Sequence, residues 1–297
     1  MTTSTVTTDP DLGLPEPRAA AGTGRRTRGA IPPVGVILAS LVVLLLVAWA
    51  IAPGVFAHGD PRMADLTSVL QPPSAHHWLG TDRLGRDVLT RVIHGARYSL
   101  LIALCAVVIS AVVGTLLGVL AGTLGKVVDE LLSRVFDLVS AFPAVLLALL
   151  VVALAGSGTL NISIAIGIAG VPKFARVVRA ETRLVRNADY VRQGVLYGAT
   201  RGRTFVRHLL PNVLTSIPVL ATIDIGTTLM AVSALSFLGL GPQPPLPEWG
   251  LMLSEARDGL RIAWWPGVFP GLAIAVTVIA FTVVGRYWQR RFEGRFA

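Results

Sequence analysis

The sequence predicts an all-α integral membrane protein with six transmembrane helices, and three observations carry that reading. The chain is 53% hydrophobic and only 14% charged, with a mean hydropathy of +0.67, too apolar for a soluble domain. Its charge-free runs can cross a hydrocarbon core about 30 Å thick at about 1.5 Å per helical residue. The cations gather at the ends of those runs, most of them on one side. The net charge of +9 is therefore read as topology-setting charge; no base-reading motif accompanies it, so no nucleic-acid partner is expected. Cys105 is the only cysteine and lies in an apolar run, which leaves no intrachain disulfide.

Residues 1–30 are rich in Thr, Pro, Gly, Ala and Arg, too polar and too long for a cleaved leader, and are expected to be a disordered cytoplasmic tail. Residues 31–97 should hold the first transmembrane helix, Val34 to Ala52, and a folded extracytoplasmic loop from Gly54 to Arg97 punctuated by Pro61, Pro72, Pro73, Gly80 and Gly85. Residues 98–288 make the remaining five spans. The second runs from Tyr98 to Gly125, with Gly114, Gly118 and Gly122 on one face for close helix approach. Lys126 to Asp137 reads as a charged connector. Leu138 to Pro172 is too long for one span and is broken at Gly156-Ser157-Gly158 and Asn161, which predicts a hairpin of two spans. The second arm continues as a helix whose basic end, Lys173, Arg176 and Arg179, emerges into water. Val213 to Leu235 is a fifth span with Asp224 at its middle, Ser236 to Arg261 a Gly- and Pro-rich loop, and Ile262 to Gly285 a sixth span; residues 289–297 form a cytoplasmic tail.

On this topology 19 of the 26 Lys and Arg residues share one side with both termini, and the positive-inside rule makes that side cytoplasmic. The segment Asn187 to Ser216 on that side is basic and amphipathic. Asp189 with Tyr190, Val191, Val195 and Leu196 suggests a short helix with an acidic start. Gly198 gives a turn, and Thr200 opens a second helix in which Arg201, Arg203 and Arg207 alternate with Phe205, Val206, Leu209 and Leu210 before Pro211 restarts the membrane helix. Two short helices hinged at a glycine make a docking knob that meets something outside the bilayer.

This segment resembles the cytoplasmic coupling loop of the permease subunits of ATP-binding-cassette (ABC) importers. Three further stretches place the resemblance in their dipeptide/oligopeptide/nickel branch, in the subunit usually encoded second of the pair. They are His77-Trp78-Leu79-Gly80-Thr81-Asp82 with Leu84 to Leu89 and Gly95 to Leu100; Leu235-Ser236-Phe237-Leu238-Gly239-Leu240-Gly241 with Pro244-Pro245 and Trp249-Gly250; and Trp265-Pro266 with Phe269 to Ile274. The sequence departs from the branch at Arg192-Gln193-Gly194, where paired alanines are usual, at Val232 and at Gly285 to Trp288.

The resemblance implies the type I importer permease fold, import of short peptides by ATP-driven alternating access, and, as alternatives, nickel or another peptide-like solute. It implies pairing with a homologous permease as a heterodimer, two ATPase subunits carrying ATP and Mg, an extracytoplasmic substrate-binding protein, and residence in the bacterial inner membrane in contact with lipid. ATPase docking falls on Asp189, Tyr190, Val191, Gly198, Ala199, Arg203, Leu210 and Pro211. The chain itself is expected to be no enzyme and to hold no cofactor, because Gly122 to Val127 lacks the spacing and the hydroxyl of a phosphate-binding loop. A stand-alone channel or secondary transporter would call for coupled intramembrane charges, where the sequence offers the single carboxylate Asp224, a candidate for the translocation pathway. His76 and His77 diverge in most backbones and lack completing ligands, so they are read as structural. Trp78, Trp249, Trp264 and Trp265 are read as membrane-interface residues.

Overall fold

The computed structural model describes residues 33–188, 207 and 210–293. Among them the regular structure is helical: α1 Val34–Ile51, α2 Pro53–Phe56, α3 Val88–Thr123, α4 Lys126–Ala141, α5 Ala144–Ala155, α6 Thr159–Asn187, α7 Leu210–Phe237, α8 Trp249–Ala256 and α9 Trp265–Glu293. Five are long and apolar enough to cross a membrane, and a sixth span results if α4 and α5 are taken as one broken helix.

The second membrane helix begins earlier than its apolar run. Asp87 caps α3, its carboxylate accepting from the Thr90 backbone N–H at 2.8 Å, so the helix starts at Val88 and carries Arg91 and Arg97 inside it. Arg97 donates to the terminal carbonyls of α1, Ala50 O at 2.7 Å and Ile51 O at 2.5 Å, where unpaired carbonyls and the helix dipole favour a cation.

The expected hairpin across Leu138 to Pro172 turns where predicted, at Gly156 to Gly158, but its first arm takes another course. The connector Lys126 to Asp137 is the body of an amphipathic helix, α4, and Phe142-Pro143 takes up extended backbone before α5, bending the chain by 89°. At 12 residues α5 reaches about 18 Å, short of a hydrocarbon core about 30 Å thick, so α4 and α5 make a broken span or a re-entrant segment rather than a straight crossing. Gly156 and Gly158, at φ +90° and +142°, turn the chain into α6, and Asn161 Nδ2 holds the turn by donating to Ala155 O at 2.8 Å. α6 runs unbroken through Pro172 to Asn187, and α9 extends to Glu293, through the start of the expected tail.

The core is built on the α3–α6 seam. A Cβ at Gly114 would lie 2.6 Å from Phe174 Cβ, and one at Gly118 2.6 Å from Ala175 O, so these glycines let the helix backbones approach as the spacing predicted. A second cluster joins Val88, Val92 and Ala96 of α3 to Trp249 and Met252 of α8 and Trp265 of α9. It ties the loops at one end of the bundle to the spans.

Candidate functional site

The loop before α3 owes its shape to Asp82. One carboxylate oxygen accepts the backbone N–H groups of Leu84 (2.8 Å) and Arg86 (3.0 Å), folding the Leu84–Arg86 turn around Gly85. Gly80 sits at φ +74°, and a Cβ there would lie 2.6 Å from the Trp265 ring, whose Nε1 donates to Thr81 O at 2.9 Å. The other oxygen of Asp82 joins a buried quartet with Glu255 of α8. Arg86 Nε lies 2.7 Å and Arg91 Nη1 2.5 Å from Asp82 Oδ2, while Arg86 Nη2 and Arg91 Nη1 each lie 2.9 Å from Glu255 Oε2. Two guanidiniums and two carboxylates cancel, which is the condition for burying charge. Asp82, Arg91 and Glu255 also line a cavity of about 240 Å³ with Leu70, Val88, Met252 and Pro266.

Glu248 caps α8, accepting from the N–H groups of Gly250 (2.9 Å) and Leu251 (2.8 Å), and Ser99 Oγ of α3 donates to it at 3.2 Å. Burial pushes its carboxyl above the ordinary glutamate value, and the backbone hydrogen bonds offset part of that rise. In the exposed loop the opposite holds: hydrogen bonds from the Thr67 and Ser68 hydroxyls and the Thr67 N–H hold Asp65 below its usual range.

At the other end of the bundle lies the approach to the docking segment. Along α6 five cations recur at helical spacing, and each meets a partner on a neighbouring helix. Lys173 pairs with Asp224 of α7, and Arg176 Nη2 reaches Asp137 at 2.9 Å and Ser140 Oγ at 3.0 Å on α4. Arg179 and Arg183 share the buried carboxylate of Asp129, and Arg186 donates to Gly122 O (3.2 Å) and Thr123 O (3.3 Å) at the end of α3. Ser216 Oγ of α7 donates to Glu181 Oε2 at 2.6 Å. The helix that enters the docking segment is thereby braced by α3, α4 and α7.

Of the predicted docking residues, Asp189, Tyr190, Val191, Gly198, Ala199 and Arg203 lie outside the described residues, while Leu210 and Pro211 open α7. Asp224 is buried, against Lys173 and the Thr227 hydroxyl at 3.0 Å. The α6 cations expected in water are thus largely ion-paired. His77 Nδ1 lies 3.1 Å from Asp87, so it buttresses the cap of α3. Among the described residues no group of His, Cys, Asp and Glu is placed to hold a metal. The tryptophans divide: Trp78 and Trp264 are exposed, whereas Trp249 is buried with its Nε1 donating to Val92 O at 2.8 Å, and Trp265 is also buried. Those two are packing residues. Sequence reasoning missed the partnership of Lys173 with Asp224 and the roles of Asp129 and Glu255. The available signal was the i, i+3/i+4 cation ladder, which asks for acids on facing helices.

A bundle of five or six apolar helices with a buried polar seam defines a multi-pass membrane protein. Its helix arrangement matches a crystal structure of an amino acid ABC transporter with histidines at a TM-score of 0.54, over 68% of this chain and 94% of that one; at 15% identity the likeness is one of fold. The family model for the inner membrane component of binding-protein-dependent transport systems matches residues 114–297. The dipeptide transport system permease protein DppC of Alkalihalophilus pseudofirmus is 40% identical over 250 residues, 84% of this chain and 81% of that protein. The glutathione transport system permease protein GsiD of Escherichia coli is 43% identical over 247 residues, 83% and 82% of the two chains. The chain belongs to this family of ABC-importer permease subunits. It is a membrane permease and not an enzyme, and ATP hydrolysis is the work of a separate subunit.

Proposed function

We propose that this chain forms half of the pathway through which short peptides are imported by ATP-driven alternating access. The observation that carries the reading is its 40% and 43% identity, across more than four-fifths of its length, to permeases named for dipeptide and glutathione transport. Both cargoes are small peptides bearing a free ammonium and carboxylate. The chain pairs with a homologous permease; two ATPase subunits supply ATP and Mg, and an extracytoplasmic binding protein delivers the peptide. Both termini lie in the cytoplasm of the cell that carries it, as the distribution of Lys and Arg supports.

Asp189, Tyr190, Val191, Gly198, Ala199, Arg203, Leu210 and Pro211 dock the ATPase. Their motion passes to the spans through α6 and α7, the two helices that flank the segment, and the braced α6 supports that role. Asp224 faces the translocation pathway. The assembled importer in proteoliposomes, given its binding protein and ATP, should accumulate labelled dialanine or glutathione. Transport of neither would reject the cargo. Gly198→Val should leave membrane insertion and permease pairing intact and abolish ATP-dependent uptake; uptake at the parental rate would reject the glycine hinge.

A further inference from the structure

The Lys173–Asp224 pair stands at the midpoints of α6 and α7. Asp224 is 5% exposed and accepts from the exposed Thr227, but the Lys173 side chain is 45% exposed. Lys173 ends the charge-free half of α6, and a half-exposed ammonium there does not face lipid tails, because hydrocarbon solvates neither the cation nor the pair it forms. This face must look into water or another protein surface. Its chemistry is that of a paired zwitterion: the Lys173 ammonium lies against the Asp224 carboxylate, which also accepts from the Thr227 hydroxyl.

We propose that Lys173 and Asp224 face the translocation cavity and exchange their mutual bond for the two termini of a zwitterionic peptide, Lys173 taking the carboxylate and Asp224 the ammonium. Each protein charge keeps one charge-assisted partner through the exchange, so a bound peptide is held without stranding either of them. Thr227 keeps Asp224 aimed during the exchange. The terminal-recognition part rests on the peptide reading above; the placement in a watered cavity does not.

The test separates them. In a Cys105→Ala background, Lys173→Cys in the assembled importer should react with a hydrophilic, charged thiol reagent, and dialanine should slow that reaction. An unreactive Lys173→Cys in a normally assembled complex overturns the cavity placement. Equilibrium binding of labelled dialanine to the purified permease–ATPase complex, without binding protein, then reads the termini. Lys173→Gln should weaken dialanine about tenfold, as loss of one charge-assisted contact does, and should not weaken its C-terminal amide. Asp224→Asn should weaken dialanine similarly and should not weaken N-acetyl-dialanine. Equal losses for free and blocked peptides would make the pair a structural tie and overturn the recognition role, as would failure of the parental complex to bind dialanine that it transports. If the parental importer transports no peptide, the cargo reading falls and takes terminal recognition with it, while the labelling result stands by itself.

Discussion

Replacing Glu255 by Gln removes one charge from the buried quartet while keeping the shape of the side chain. Arg86 and Arg91 are 2% exposed at their side chains, with Asp82 at 7% and Glu255 at 8%, so solvent screens almost none of the result. The quartet goes from neutral to a net positive charge that Asp82 alone must balance against two guanidiniums. Breaking a buried ion pair by removing one partner costs about 3–5 kcal/mol, chiefly the cost of the charge left behind. At about 2–4 °C per kcal/mol, melting should fall by about 10 °C. The purified permease in nanodiscs offers the assay: Trp249 and Trp265 lie in the same cluster, and their fluorescence reports its opening. Adding Arg91→Met to Glu255→Gln restores neutrality, since Arg86 and Asp82 remain as a pair, and should recover most of the loss. A Glu255→Gln shift worth less than about 1 kcal/mol, or a double variant no more stable than the single, would show that the quartet is not a balanced buried network.

Gly118→Ala should destabilise the α3–α6 seam by about 1–3 kcal/mol, because its Cβ would meet the Ala175 carbonyl, which cannot swing aside; Gly54→Ala, with nothing within 4 Å, serves as the unperturbed control in the same melts. Glu248→Gln should flatten the pH dependence of stability. Burial raises the folded-state value of Glu248 above 4.5, so its favourable neutral form is fully present below 4.5 and is lost as pH rises through the raised value. The parental protein should therefore lose stability over that interval, and a variant with the same slope would remove Glu248 as the source. Asp129→Asn should cost about 1 kcal/mol, less than Glu255→Gln, because Arg183 is half exposed and re-solvates; melting by circular dichroism reads the difference.

The helix content, the apolar spans and the α3–α6 glycine seam were legible in the sequence because they depend on local quantities: run length, charge placement and a four-residue spacing. So was the family, carried by loop motifs whose reason is now visible: Gly80 and Asp82 make the turn that seats Trp265, and His77 braces the Asp87 cap. The α4–α5 break escaped, since Phe142-Pro143 lies in an apolar run whose composition reports burial or lipid but not direction. The start of α3 escaped for a related reason. Arg91 and Arg97 look like loop charges until Glu255, far along the chain, and the carbonyls of α1 are brought against them. The α6 cations read as solvated, and Asp224 as solitary, because a one-dimensional list cannot say which acid faces which cation. Composition and periodicity settle where a chain enters the membrane; the balance of buried charge is a property of pairs distant in sequence, so only the packed helices decide it.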